Sequence, residues 1–461
     1  MGSSTSPTAA HRGLEIAIIG GGITGLALAL GLQSRGVKGY KIYERARGFH
    51  EIGAGVGFSP NAERAMELLN PEMHAAYRRV ANPNGEDYFQ WIDGYATGEL
   101  IYKLYLGEGM FQGCRRSDFI DELAKLVPRE NVVFGKQAEL IFEGAEGRPN
   151  VIFKDGQCVS ADIVIGCDGI RSRVRQLLLG EENPASYPGY SHKYCFRDLI
   201  DTCKAREAIS GDEEKGEYLT STRFMYNGPG GHLITYPVAM GTLVNVLAVV
   251  SDPGEWDAKD GRHTARTTKK EAVEFFEDWR HPIVKGIVDL LPEELDKWAI
   301  FDMMDHPAPR YNDGCVCVAG DAAHAAGPHL GAGAGFGIED ALVLATALEQ
   351  LDKTARSTDL TEARRMALCS NALSVYNKVR YERTQWLVRA TRKACALFHD
   401  PYRRSASDPE SNARFGREIS ELFHKIWDLD IGQMVNETVA SLEATGVAAE
   451  EVPETWLMGS L

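Results

Sequence analysis

Glycines and single acids standing at strand ends are the residues of this chain best suited to chemistry. Gly20-Gly21-Gly22-Ile23-Thr24-Gly25 follows a β-branched apolar run and opens a helical one. In that setting G-x-G-x-x-G binds a dinucleotide: the first glycine permits a tight turn, the second lets a pyrophosphate approach the backbone, and the third lets helix and strand pack closely. Free N–H groups and the helix dipole then favour the phosphates. Glu44 follows 24 residues after Gly20, at the end of the next strand, where a carboxylate binds a ribose diol. A second fingerprint is missing, since Gly331-Ala332-Gly333-Ala334-Gly335-Phe336 fails at its last position. One dinucleotide fold has to serve the chemistry.

The segment GDAAHAAGPHLGAGAGFGIEDA, starting at Gly320, follows the strand CVCVA and precedes a helix. Asp321 falls at the strand end, placed to accept hydrogen bonds from sugar-like hydroxyls. The glycines after it allow close approach by something flat, and a helix starting near Gly335 points its positive end at that object. A reduced flavin is flat and carries negative charge at its N1–C2=O edge, which such a helix end stabilises. Neighbouring residues weigh less. His324 and His329 carry no metal-binding glutamate at a ligating spacing, so turn-stabilising roles are expected and no metal. Cys315 and Cys317 alternate on a buried strand and read as core. The basic run VRATRKACALFH reads as a solvated helix face.

The elements that must hold these residues follow from the pattern. Glu15 to Ile19 reads as a buried strand, Ile23 to Arg35 as a helix closed by Gly36, and Tyr40 to Glu44 as a second strand: a β-α-β unit. Further strand-turn-helix units lie at Asp162 to Leu179 and Cys315 to Leu348. Between them, His232 to Val238 and Leu243 to Val250 are β-branched runs separated by MGT, expected as antiparallel strands of a different sheet whose face roofs a pocket. Leu360 to His399 is helical. The apolar stretch Ile16 to Leu32 approaches the length of a membrane helix, but its five glycines and β-branched start favour strand, turn and helix. Met1-Gly2 with Ser6 matches the bare myristoylation pattern within a Ser/Thr-rich leader. With 461 residues, 44% hydrophobic, the chain reads as a globular protein of about three units. Its 50 basic against 65 acidic residues, a net of −15, argue against a polyanion partner such as nucleic acid. Nine scattered cysteines without a CxxC suit a reducing, cytoplasmic location.

GGGITG, CDGIRSRVR (Cys167 to Arg175) and GDAAHAAGPHLGAGAG, in this order over the first 350 or so residues, resemble the three signatures of the FAD-dependent aromatic hydroxylases, single-component monooxygenases that include salicylate hydroxylase and p-hydroxybenzoate hydroxylase. FHEIGAGVGFSPNA and GCRRSDF are similar to fungal polyketide-pathway members and their salicylate hydroxylase-like relatives. The resemblance implies that Gly20, Gly22, Gly25 and Glu44 bind the adenosine side of FAD and that Gly57 lies against the ribityl or flavin region. It places Arg116 on the pyrophosphate or ribityl chain, Asp168-Gly169 between FAD and the nicotinamide cofactor, and Asp321 and Ala334 on the ribityl chain and isoalloxazine edge. Ala325 replaces the proline of the family's GDAAHP, which puts the local turn in doubt.

On the substrate side, Arg197 in KYCFRDLI resembles an arginine that holds the substrate's phenolate in polyketide-type members. A fixed guanidinium lowers a phenol's pKa and keeps its ring electron-rich. Tyr226 or Tyr236 would supply the second hydrogen bond, with Tyr226 favoured on its spacing to Arg197 and Asp321. The resemblance implies an α/β fold: a Rossmann-like FAD-binding domain (12–76, 105–182 and 296–352), an inserted mixed or antiparallel β-sheet substrate domain (77–104 and 183–295) and a C-terminal helical region (353–461). The implied activity is hydroxylation of a phenolic, resorcinol-type polyketide with NADPH or NADH as transient co-substrate and O2, through a C4a-hydroperoxyflavin, by a monomer or homodimer without stable membrane insertion. Whether the product loses aromaticity stays open. The alternatives are salicylate-type decarboxylative hydroxylation and a flavin-fold reductase or binding protein without oxygen transfer.

Overall fold

A computed structural model describes residues 12–49, 55–210, 212–257, 262–400 and 408–447. The leader with the pattern at residues 1–6, and residues 50–54 of the glycine-rich segment, lie outside the described residues. The apolar stretch resolves into the strand Ile16–Ile19, a glycine turn and the helix Ile23–Ser34. Every residue of that strand is buried, because it lies inside a six-stranded sheet between Ile163–Gly166 and Tyr40–Glu44, parallel to both. Val132–Phe134 extends the sheet beyond Tyr40–Glu44, Val316–Val318 extends it beyond Ile163–Gly166, and Asn312–Asp313 closes that edge antiparallel. The helix Ile23–Ser34 is apolar all round because it is covered on both sides. Its Gly31 sits where a Cβ would run into Leu69 and Ala345. Among the described residues no helix is long and apolar enough to cross a membrane.

The second sheet has eight strands in the order Thr264–Thr268, Glu294–Asp302, Gly189–Asp201, Leu243–Ser251, Gly231–Val238, Phe224–Gly228, Tyr88–Asp93 and Leu100–Tyr105. All neighbours are antiparallel except the parallel pair Phe224–Gly228 and Tyr88–Asp93. The expected antiparallel pairing of the HLITYPV and LVNVLAVV runs is present, Ile234 lying opposite Leu247. Four expected domain boundaries need correction. The break at 295/296 falls inside Glu294–Asp302, that at 104/105 inside Leu100–Tyr105, that at 76/77 inside the helix Pro71–Val80, and that at 352/353 inside the helix Gly333–Ser357. A continuous strand or helix is one cooperative unit, so chain exchange between the layers occurs in the loops beyond these elements.

The helices Glu362–Phe398, Pro409–Trp427 and Ile431–Ala444 are the last elements among the described residues. The first of them is no free basic face. Arg392 forms paired hydrogen bonds with Asp302 and Asp305, and Lys393 pairs with Glu418. Deeper, Arg380 is fully buried between Glu339 and Asp340, at 2.7 Å from each. Asp340 also accepts the backbone N–H of Gly320 at 2.9 Å and lies 2.6 Å from His324 Nε2. Glu339 binds Arg383 through both oxygens and accepts from Asn61. The cationic partners hold both carboxyls below their usual range, against the opposing effect of burial.

Truncating one member of such a cluster leaves the others buried and uncompensated. Asp340→Ala is therefore expected to lower unfolding free energy by about 3–5 kcal/mol, measured by urea denaturation of the FAD-loaded protein. A loss below about 1 kcal/mol, the level of an exposed pair, would contradict the assignment.

Candidate active site

A cavity of about 740 Å³ lies between the two sheets, and every glycine-acid motif reaches it. Gly20 takes a positive φ of 106°, and the Cβ of an alanine at Gly25 would fall 2.1 Å from the Gly20 carbonyl oxygen, so strand and helix can approach only without side chains. A Cβ on Gly22 would meet nothing within 4 Å; it would point into space that a ligand can use. The helix Ile23–Ser34 has no side-chain cap, and neither has Gly333–Ser357. Both start on the cavity wall, at Gly22 and at Gly331 to Ala334. Uncapped N–H groups of two long helices therefore face the same enclosed space, a donor set that suits anionic or carbonyl oxygens.

The acids divide into different roles. Glu44 accepts the Gly21 N–H at 2.7 Å and the Ala46 N–H at 2.8 Å, which fixes its carboxylate at one end of the cavity. Asp321 is exposed on the wall at the start of the short helix Asp321–His324. Asp168 lines the wall, but its oxygens accept from Ser172 and from the backbone of Arg173 and Val174. Burial pushes its carboxyl above the usual range, against the pull of these hydrogen bonds. Its geometry is that of a fastener for the helix Arg173–Leu179. From the same motif, Arg175 donates to the carbonyls of Ala322 and Ala323, tying the second signature to the third. Gly57, Arg116, Gly169 and Ala334 also line the cavity.

The eight-stranded sheet supplies the opposite wall by simple alternation. Side chains two apart on a strand share a face. Arg197, Leu247, Ile234 and Met225 sit directly opposite one another across four neighbouring strands, and all four line the cavity. His232 and Tyr236 flank Ile234 by two residues on the same face, and Arg223 does the same for Met225. Arg197 stacks on Trp298, guanidinium carbon 3.4 Å from the ring centroid. The ring of Tyr236 lies against Gly55 and Gly113, whose Cβ positions it would overlap, so those glycines make room for it. Burial pushes the Tyr236 hydroxyl up to about 12, with Arg223 opposing.

The preference for Tyr226 needs correction. Its neighbour Met225 faces the cavity, so Tyr226 points to the other side of the sheet, where it is buried with Trp279 and near His281. Tyr236 is the tyrosine on the cavity face. Two residues escaped notice in the sequence. Arg223 is buried, donates to the Phe111 carbonyl at 2.9 Å and packs on Phe111 and Tyr236, with no carboxylate paired to it among the described residues. Its strand parity with Met225 was the available signal. His232 is the other, at even spacing from Tyr236. His329 also departs from expectation: it lines the cavity instead of stabilising a turn, its Nδ1 meets no partner, and burial lowers its pKa to about 3.

The residues present fit FAD, on the open space over Gly22, the two uncapped helix starts and the fixed carboxylate of Glu44. Comparison with known proteins points the same way. The model of the FAD binding domain family matches residues 13–368. The chain is 48% identical over 432 residues to the FAD-dependent monooxygenase pigN of Monascus ruber, covering 92% of this chain and 96% of that one. It is 38% identical over 447 residues to the salicylate hydroxylase asL1 of Sarocladium schorii, covering 93% and 91%. A salicylate hydroxylase solved as a substrate complex superposes with a TM-score of 0.77 at 30% identity, covering 92% of this chain and 98% of that one.

The two glycines of the first motif separate folding from binding. Gly25→Ala is expected to lower the melting temperature of the protein, because its Cβ has no room. Gly22→Ala should melt as the parent does without FAD yet bind FAD at least about tenfold more weakly, the loss of roughly one charge-assisted contact. FAD fluorescence titration beside thermal melts reads both effects, and equal behaviour of the two variants would refute the assignment.

Proposed function

The chain belongs to the FAD-dependent monooxygenases, aromatic hydroxylases of the salicylate hydroxylase type, and from that premise we propose that its substrate is a phenolic, resorcinol-type compound of polyketide origin, hydroxylated with NADPH and O2. The observation that carries this reading is the row Arg197, Leu247, Ile234 and Met225 with Tyr236 beside it: a stacked cation and a phenol hydroxyl flanking three apolar side chains in line. Such a wall accepts a flat ring and meets one oxygen with charge.

Residues 20–25, Glu44, Arg116, Asp321 and 331–334 would hold FAD. Bound FAD, once reduced by a nicotinamide, activates O2 and supplies the oxygen atom. The protein groups bind, orient and shield. Arg197 cannot give up its own charge, so it lowers the pKa of a phenol beside it and holds the phenolate form. Its stack on Trp298 fixes the guanidinium plane and with it the ring that is bound. Tyr236 donates a second hydrogen bond, its raised pKa keeping the proton on the hydroxyl. Leu247, Ile234, Met225 and Phe89 keep water from the reacting carbon. With one dinucleotide fold in the chain, the nicotinamide binds transiently. Nine thiols, none in a disulfide, suit a reducing cytosol.

A second reading rests on Arg223. A buried guanidinium on the cavity wall without a carboxylate partner among the described residues would suit a substrate that brings its own carboxylate, which favours decarboxylative hydroxylation of a salicylate-type acid. Release of CO2 in step with NADPH consumption separates the two.

Purified protein is expected to be yellow and to oxidise NADPH faster when 2,4-dihydroxybenzaldehyde or a related phenol is added, with one atom of ¹⁸O₂ in the product. Arg197→Ala should lower kcat/KM by about a hundredfold or more, the loss of an aimed donor in a dry site, while FAD stays bound. Tyr236→Phe should lose about tenfold. Unchanged turnover in Arg197→Ala would remove it from the mechanism.

A further inference from the structure

Arg197 can stabilise a phenolate, but it accepts no proton, and a phenol that enters as the neutral acid must lose one inside the cavity. Of the carboxylates of the wall, Asp321 is assigned to the cofactor and the other two are already engaged. Asp168 is occupied by the helix it fastens, and Glu44 holds the backbone at the adenosine end. Beside the Arg197 row stands His232, one pleat along from Ile234.

His232 leads away from the cavity. Its Nδ1 lies 2.7 Å from Nε2 of His399, the residue that follows the helix Glu362–Phe398, and Nδ1 of His399 lies 3.0 Å from the hydroxyl of Ser251. Both rings are buried, whereas Ser251 is half-buried at the end of its strand. His399 is held in place by its own backbone, its N–H on the Cys395 carbonyl and its carbonyl on the Gly230 N–H. We propose that His232, His399 and Ser251 form a hydrogen-bonded path that carries the proton of a cavity-bound phenol to the protein surface. The proposal rests on the phenolic reading of the substrate.

The bond pattern has two complete forms, which differ by the passage of one proton. In the first, hydrogen sits on Nδ1 of both rings: His232 donates to His399, His399 donates to Ser251, and Nε2 of His232 is an acceptor. The phenol O–H breaks as Nε2–H of His232 forms. Nδ1–H of His232 passes to Nε2 of His399, Nδ1–H of His399 passes to the Ser251 oxygen, and the hydroxyl proton of Ser251 leaves to solvent. In the second form every hydrogen bond points the other way, both rings are again neutral, and one proton has left the site. Return of a proton along the same path resets it. No imidazole has to hold a charge at rest, which matches the environment: burial holds both rings well below the usual histidine range, with His329 and Lys193 adding to the effect on His399 and His329 adding to that on His232. Cys395, 3.8 Å from His399 Nε2, stays a neutral thiol because burial pushes it up to about 12. His329, its ring centroid 5.5 Å from that of His232, is the remaining titratable neighbour on the cavity side.

Stopped-flow absorbance of the oxidised, FAD-loaded protein mixed with 2,4-dihydroxybenzaldehyde, without NADPH, reads phenolate formation apart from turnover. His399→Leu is expected to slow phenolate formation at least tenfold while leaving its final amplitude and the thermal midpoint unchanged. Arg197→Ala should instead lower the amplitude. Ser251→Ala should slow the phase severalfold. In His399→Ala, imidazole in the buffer should restore part of the rate, which a purely structural role would not allow. Phenolate formation at the parent rate in His399→Leu, or a loss that imidazole does not relieve, would overturn the path and leave the phenolic reading standing. Failure of the parent protein to form any bound phenolate would overturn that reading, and the path with it.

Discussion

The architecture depends on one buried carboxylate. Asp340 accepts from the Gly320 backbone, His324 and Arg380 at once, and so joins the end of the strand Val316–Val318, the short helix after it and the long helix Glu362–Phe398. Desolvating so many charges is costly, and this is offset only if each finds its partners in good geometry. Here they do. Arg380 spans Asp340 and Glu339, and Glu339 reaches on to Arg383 and Asn61. The reward is specificity of position: the turn at Gly320 and the start of the helix at Gly333 are set relative to the strand Ile16–Ile19, and Asp321 and Gly333 there both line the cavity.

The opposite wall is governed by parity. Four strands in fixed register bring Arg197, Leu247, Ile234 and Met225 into line, and a slip of one residue in any of them would turn its contribution to the far side. The buried cluster behind the sheet, with Phe196, Tyr226, Leu233, Val246 and Trp279, specifies that register, since the same slip would expose it. Catalytic and core faces therefore constrain each other. The C-terminal helices complete the arrangement from outside the sheet: Arg392 holds Asp302 at the end of one strand, and His399 touches His232 and Ser251 on two others.

Much of this could be read from the chain. The glycine motifs are legible because the backbone conformations and close approaches they permit are written directly into residue type and spacing, as at Gly20 and Gly25. Strand Ile16–Ile19 and helix Ile23–Ser34 are legible for the same reason. Tyr226 was preferred over Tyr236 on distance along the chain, whereas side-chain direction depends on odd or even position in a strand, and counting from Met225 or Ile234 would have separated them. Arg380 and His399 were not legible. Their partners lie far away in sequence, Arg380 40 residues beyond Asp340 and His399 167 beyond His232, and no local periodicity marks such a meeting. The run VRATRKACALFH looked solvated because charge alone does not reveal that Arg392 is met by Asp302 and Asp305.

A net charge of −15 and a cavity that suits an anionic dinucleotide are compatible because backbone N–H groups face that cavity beside side-chain cations such as Arg45, Arg116 and Lys136. Two uncapped helix starts converge on one cavity, and their N–H groups carry partial positive charge without the desolvation that burying lysines would demand. Arg197 and Arg223, on the sheet wall, stand apart from those helix starts. Arg197 and Arg223 lie on the sheet that faces the helix starts, too far round the cavity fold to be needed by phosphates and surrounded by apolar side chains that strengthen their field. Uncapped helix starts on one wall and Arg197 and Arg223 on the other give a single cavity two chemically different halves, and this division follows from where the chain could do without side chains and where it could not.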